Sequence, residues 1–392
     1  MYLLFIRFYI RQRGGVGLSY KKLDWYKMKN RPLLSVVMPV HNPRQYLSPC
    51  LDSVLQQTFR DFELIAIDDA STDDSLSILK QYASLDKRLQ VMHNEKSLGA
   101  ACTRNRGLYA ARGEYIIFLD ADDYFELDYF ENMIAKISST KADVAICPIL
   151  LRDERDGTES FIPKNISQIT EIVGKSVCPD KFVKRLFYGM PYAPFNKLVR
   201  REMLIEKRIE FQDLNNSNDV YFGVITIAEA NTVVCLPKPY VHYRYNTGTQ
   251  ISTKRYKKAM CICYAFQKIR EELIARGLWG KFSCMYYDLS VLAIYSVLKK
   301  AYEPQILLDY VQGEGKVQLG FNNLCRYEFS SARLYGLYKI LIYGRYAILG
   351  NRRDIFSCIL MAFKWGDLLG IYWLLGHYIM LTMRGLKKYL KV

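Results

Sequence analysis

Asp120, Asp122 and Asp123 crowd the end of the run EYIIFLDADDYF, directly after the apolar, strand-like residues 115–119. Two carboxylates about 4 Å apart repel by roughly 4 kcal/mol at an effective dielectric near 20. A fold keeps such a group where water solvates it or a cation neutralises it. Magnesium and manganese ions take oxygen ligands and usually bind through one or two carboxylates plus substrate phosphates. D-A-D-D at a strand end therefore points to a metal–diphosphate site, and a solvated acidic turn capping the next helix is the plain alternative.

Such a site needs rigid elements to hold it, and residues 35–150 supply alternating strand and helix patterns. SVVMPV (35–40), FELIAI (62–67), RLQVMH, EYIIFL and DVAICPI (143–149) read as strands. Leu47, Leu51, Val54 and Leu55 share one helical face, and Leu127, Phe130, Ile134 and Ile137 form another helical stripe. SLSILKQYA reads as a helix opened by the capping group 71–74, and residues 99–112 as a helix stopped by Gly113. Strands that are apolar on both faces and alternate with helices predict a parallel sheet covered on both sides. Such sheets bind ligands at the carboxyl ends of their strands. Asn42, Asp68, Asp69 and the 120–123 carboxylates all fall there, with Arg104 and Asn105 in the helix after the third strand. An Asp beside a nucleotide base can accept its N–H, and an Arg can pair with a phosphate.

The pattern changes beyond residue 150. DVYFGVITIAEA reads as a helix, TVVCL and YVHYRY as strands, and from about 251 helical stripes such as Ile262, Phe266, Ile269 and Leu273 dominate. The chain has 392 residues and a net charge of +16. Residues 251–392 hold 22 Lys and Arg against 9 Asp and Glu, hence +13, which leaves +3 for residues 1–250. Basic residues interleaved with Tyr, Leu and Ile favour an anionic membrane surface over nucleic acid. The uncharged run 368–383 is 16 residues, short of the roughly 20 that span a bilayer, so an in-plane or re-entrant helix is expected, with a core helix as the plain alternative. Its basic flanks are Arg352, Arg353, Arg384, Lys387, Lys388 and Lys391. Ten cysteines lie scattered, with no C-x-x-C, as in a reducing compartment. MYLLFIRFYI at the start reads as an interfacial segment or as residues ahead of a true start at Met28.

SVVMPVHN, YLSPCLDSVLQQTFRDFELIAIDDASTDDS, LGAACTRNRGLYAARGEYIIFLDADD and the later NDVYF together resemble the family 2 glycosyltransferases with the GT-A fold, closely over 33–150 and more loosely over 190–252. The resemblance implies an α/β fold: a GT-A, Rossmann-like, mostly parallel sheet flanked by helices, followed by a helical, basic and aromatic C-terminal extension. It divides the chain into an N-terminal extension (1–32), a catalytic domain (33–250) and a helical, membrane-associated region (251–392). It places Pro39, Val40, Asn42 and Asp69 at the nucleotide, with Asp69 accepting from a uracil ring, and Arg104 near the ribose and diphosphate. Asp120 resembles the first Asp of the D-x-D and Asp122 the last, a direct ligand of Mn2+ or Mg2+. Asp219 resembles the catalytic base, where the plain alternative is a charge at a helix start. Family members often carry Glu-Asp there, and this chain has Asn218-Asp219. The implied reaction is inverting transfer from a UDP-sugar to a glycan or lipid-linked acceptor in surface polysaccharide assembly, on the cytoplasmic face of the cell membrane, with no nucleic acid partner. A sugar nucleotidyltransferase and a sugar-nucleotide-binding scaffold without turnover are the competing classes. PVHNPRQY lacks the glycine-rich basic loop that the former needs, and VGKS (173–176) is no P-loop because Ile169 stands at its first glycine. His242 reads as a strand histidine that could also reach a metal. Arg244 reads either as a diphosphate contact or as part of a surface loop.

Overall fold

The computed structural model describes residues 31–163, 169–189, 192–247, 259–298, 301, 304–322, 324 and 326–343. The N-terminal apolar segment and the run 368–383 lie outside the described residues. The chain opens as β1 (Leu34–Val40), α1 (Arg44–Leu55), β2 (Phe62–Asp68), α2 (Ser75–Leu85), β3 (Leu89–His93), α3 (Gly99–Ala110) and β4 (Tyr115–Phe118). It continues through β5 (Tyr124–Phe125), α4 (Tyr129–Thr140), β6 (Val144–Ile146), β7 (Ile149–Asp153), β8 (Glu159–Ile162), β9 (Ser176–Val177) and α5 (Val183–Gly189). A 3-10 turn (Pro194–Asn196) then leads into β10 (Lys197–Arg200), α6 (Arg201–Glu206), α7 (Asn218–Glu229), β11 (Val233–Cys235) and β12 (Val241–Tyr245). Helices close the described chain: α8 (Met260–Ala275), α9 (Trp279–Leu298), α10 (Pro304–Gln312), α11 (Glu314–Gln318) and α12 (Ala332–Tyr343).

The main sheet runs β3-β2-β1-β4-β10-β6-β11-β9. The first four strands are parallel, β10 is antiparallel to both β4 and β6, and β9 is antiparallel to β11. A second sheet, β5-β12-β7-β8, stands beyond the end of β4. Alternation along β1 builds two cores. Val36, Met38 and Val40 face Leu47, Leu51 and Phe130, while Val37 faces Ile67, Phe118 and Phe222. The second core runs on without a break into α8, α9 and α12, through Phe266, Tyr286 and Tyr338. The aromatic residues of this stretch are therefore largely core: Tyr286 and Tyr338 are buried, and their hydroxyls donate to the carbonyls of Leu319 and Phe321.

Three local expectations are corrected. The strand expected over 143–149 divides into β6 and β7, which belong to different sheets. Leu127 precedes α4 and is 48% exposed, so the buried stripe starts at Phe130. Gly113 does not stop α3, whose last residue is Ala110. It is a close approach instead: a Cβ there would lie 2.5 Å from the Ser35 backbone nitrogen.

Glu63 anchors this corner. It accepts from Ser35 Oγ at 2.7 Å, from the Arg112 backbone N–H at 2.8 Å and from Arg112 Nη2 at 2.6 Å. Burial alone would raise its carboxyl, but these donors outweigh burial and hold it below the ordinary 4.5. A depressed carboxylate contributes stability above its unfolded value and loses it as pH falls through the folded one. Glu63→Gln is expected to melt lower than wild type near neutrality and to lose less on acidification below about pH 4.5, as thermal melts across that range would record.

Candidate active site

The carboxyl end of β4 is joined to the start of α7 by one side chain. Asp120 follows β4 and accepts from Arg104 Nη2 at 2.6 Å. The same guanidinium reaches the other way, Nη1 donating 3.1 Å to Asn218 Oδ1. Arg104 is only 6% exposed and its guanidinium lies over the Phe211 ring, with Nε buried and without a partner. One side chain thus ties the strand-end carboxylate to the residue beside Asp219. Asp219 occupies the first turn of α7 and is part-exposed. Among the described residues its carboxylate takes no hydrogen bond or ion pair, which leaves it open to a substrate proton.

The two remaining carboxylates diverge. Asp123 is fully buried, and its Oδ1 accepts the Arg244 backbone N–H at 3.0 Å, latching β12 to this turn. Its Oδ2 is buried with no partner. Asp122 is pushed up to about 6, by burial first and then by the charge of Asp120. Both observations describe negative charge short of compensation. Among the described residues no three His, Cys, Asp or Glu side chains form a metal-holding cluster. Magnesium and manganese do not require one, since substrate phosphates complete their shells. The donor set therefore fits a divalent cation on Asp122.

Arg244 has a larger part than its place in a loop-like sequence suggested. Nη1 donates to the Asp122 carbonyl at 3.0 Å, and the guanidinium lies over the rings of Tyr124 and Tyr46. Neither tyrosine was singled out from the sequence. Each stands alone outside any periodic pattern, and only the second sheet brings them together. His242 stacks on Tyr124 at 4.3 Å and pairs through Nε2 with Glu126 at 2.7 Å, as a strand histidine would.

The expected nucleotide pocket is re-dealt. Val40 is withdrawn from it: its side chain is fully buried and its carbonyl accepts the Asp69 N–H, because this β1 position points into the core. Asp69 accepts from Asn94 Nδ2, Ser97 Oγ and the backbone N–H groups of Leu98 and Gly99, at 2.7 to 2.9 Å. Burial pulls its carboxyl upward, and these donors more than reverse it. A carboxylate offers about four acceptor sites, so here Asp69 caps the start of α3 and has none left for a uracil N–H. Asn42 braces the next loop, its Oδ1 accepting the Thr72 N–H at 2.7 Å, and Pro39 is part-exposed in β1. Asp68 pairs with His93 through Oδ2 and keeps Oδ1 buried and unpartnered.

Comparison with known proteins decides the family. The Glycosyl transferase family 2 profile matches residues 35–206. The teichuronic acid biosynthesis glycosyltransferase TuaG of Bacillus subtilis is 41% identical over 251 residues, which cover 64% of this chain and 93% of TuaG. This chain belongs to the family 2 glycosyltransferases. EpsH of the same organism is 32% identical over 58% of this chain, and the match spans 65% of EpsH. Staphylococcus aureus TarS, crystallised with UDP-GlcNAc, superposes with a TM-score of 0.57 at 20% identity, over 86% of this chain and 89% of that one. The architecture is accordingly GT-A, and the chain is a nucleotide-sugar-dependent transferase. Asp219 lies beyond residue 206, so in this glycosyltransferase its role rests on the Arg104–Asn218 link.

Proposed function

We propose that this glycosyltransferase moves a sugar from a UDP-sugar to a hydroxyl of a glycan or lipid-linked acceptor with inversion at the anomeric carbon. The observation that carries the reading is the Arg104 bridge, which joins Asp120 on the donor side to the segment that presents Asp219. Asp219 takes the acceptor proton, and the freed oxygen attacks the anomeric carbon from the face opposite the diphosphate, whose bond to that carbon breaks. Asp122 would hold Mn2+ or Mg2+, a Lewis acid that offsets charge on the departing UDP. Arg104 and Arg244 add fixed positive charge beside the same carboxylates. Pro39, Asn42 and Asp69 frame the base pocket, Asp69 through the 94–99 loop that it holds.

The similarity to TuaG supports a place in surface polysaccharide assembly, and TarS in complex with UDP-GlcNAc and with UDP supports the choice of donor. The +13 charge of residues 251–392 supports docking on an anionic membrane face. Among the described residues no helix is long and apolar enough to cross a membrane. A thermal-shift panel of UDP- and GDP-sugars, with and without Mn2+, tests the reading. One UDP-sugar at about 100 times its Kd is expected to add about 2.7 kcal/mol of stability, with Mn2+ required for the full effect. Silence toward every donor would overturn it.

A further inference from the structure

Lys197 opens β10, the strand that runs antiparallel between β4 and β6. The reversed direction carries its first residue to the rim where those neighbours end, and Lys197 pairs with Ile146, the last residue of β6. The side chain is fully buried. Nζ donates to the Ala193 carbonyl at 2.7 Å and to Asn196 Oδ1 at 2.9 Å, gathering both ends of the 193–196 turn. That turn is pinned elsewhere by Asn196 Nδ2 on the Cys147 carbonyl at 2.7 Å and by the Tyr129 hydroxyl on the Phe195 carbonyl at 2.6 Å.

Helix α7 lies against the same segment. A Cβ on Gly223 would come within 2.5 Å of the Tyr192 carbonyl oxygen. Gly223 is four residues beyond Asp219, on the same face of α7. The titratable groups facing the ammonium are Cys147 after β6, Asp219 on α7 and Cys235 on β11. Burial pulls the ammonium down to about 7 against the attraction of Asp219, since burial raises both thiols to about 12 and leaves them uncharged near neutrality. Removing an ammonium from water costs several kcal/mol, and a Met or Leu would fill the strand without that penalty. A charge retained there, at the functional rim, marks function.

We propose that Lys197 is a positioning residue of the transfer site: its ammonium holds the 193–196 turn against the Asp219 face of α7 and so fixes the wall beside which the acceptor hydroxyl loses its proton. The proposal rests on the reading of Asp219 as the base. Its test compares Lys197→Met and Lys197→Gln with Asp219→Asn. UDP binding is measured by calorimetry with Mn2+, and UDP release from UDP-GlcNAc, UDP-glucose and UDP-galactose is followed across neutral and alkaline pH. Both lysine variants are expected to bind UDP within about two-fold of wild type and to turn over at least roughly tenfold more slowly. Wild type is expected to lose turnover, and not UDP affinity, as pH rises through about 7, where the ammonium becomes an amine whose two bonds to the 193–196 turn are no longer charge-assisted and weaken. Both variants lack that limb. Variants that turn over like wild type, or that lose UDP affinity in step with rate, would overturn the proposal. So would a wild-type profile without the limb, a measurement that needs no variant to fold. Full turnover in Asp219→Asn alongside slow lysine variants would sink the base assignment and leave Lys197 in place.

Discussion

Asp219→Asn is expected to slow transfer by roughly 10²–10⁴-fold, the usual contribution of a positioned general base, with UDP affinity within about two-fold of wild type. The substitution keeps size and shape and removes the proton acceptor. Because the Asp219 carboxylate makes no hydrogen bond or ion pair with a described residue, its loss breaks no bonded network that holds the donor. The competing reading makes Asp219 a charge at the start of α7. Such a charge is worth about 0.3–1 kcal/mol, so that reading predicts a small fall in melting temperature and an unchanged rate. Calorimetry with UDP and Mn2+, set beside steady-state UDP release, separates the two. A parallel fall in affinity and rate would instead move Asp219 into the donor site.

What the sequence discloses follows the range of the forces involved. Leu47, Leu51, Val54 and Leu55 recur at helical spacing and are all buried, because a helix covering one face of a sheet repeats its apolar stripe within a short window. The four residues of β10 carry no such pattern, and two of them are basic. They form a strand because β4 and β6 offer unpaired edges on either side, which is a tertiary fact. The second sheet is hidden for the same reason: β5 is two residues long and pairs with β12 from more than a hundred positions away.

The site divides in the same manner. Asp120 and Arg104 are legible because each sits next to a strand end or opens a helix turn near one. The bond from Arg104 to Asn218 spans 114 residues and depends on where α7 packs. Val40 misleads because side-chain direction at a strand end turns on a single residue of register. The donors that saturate Asp69 come from residues 94–99, whose approach nothing in IDDASTDDS announces.

Asp122→Asn is the second large effect. It is expected to abolish the gain in UDP affinity that Mn2+ gives and to slow transfer by about 10³-fold, in line with the several kcal/mol that a Lewis acid supplies to a departing anion. Asp123→Asn is the control that gives this result meaning. Asp123 is buried deeper and latches the Arg244 backbone, and an Asn side-chain oxygen can still accept that N–H. Burial, and after it the charges of Asp122 and Asp120, raises the Asp123 carboxyl well above its ordinary value, so an uncharged Asn suits that buried place. Asp123→Asn should therefore keep the Mn2+ response of UDP binding, read by the same calorimetry, and its melting temperature should hold or rise. If both substitutions erase the Mn2+ response equally, the cation is shared between the two carboxylates and Asp123 is a ligand as well as a latch. If neither does, the crowding at the end of β4 serves Arg104 and Arg244 instead: the carboxylates would fix two guanidinium groups at the rim, and those cations would neutralise the diphosphate.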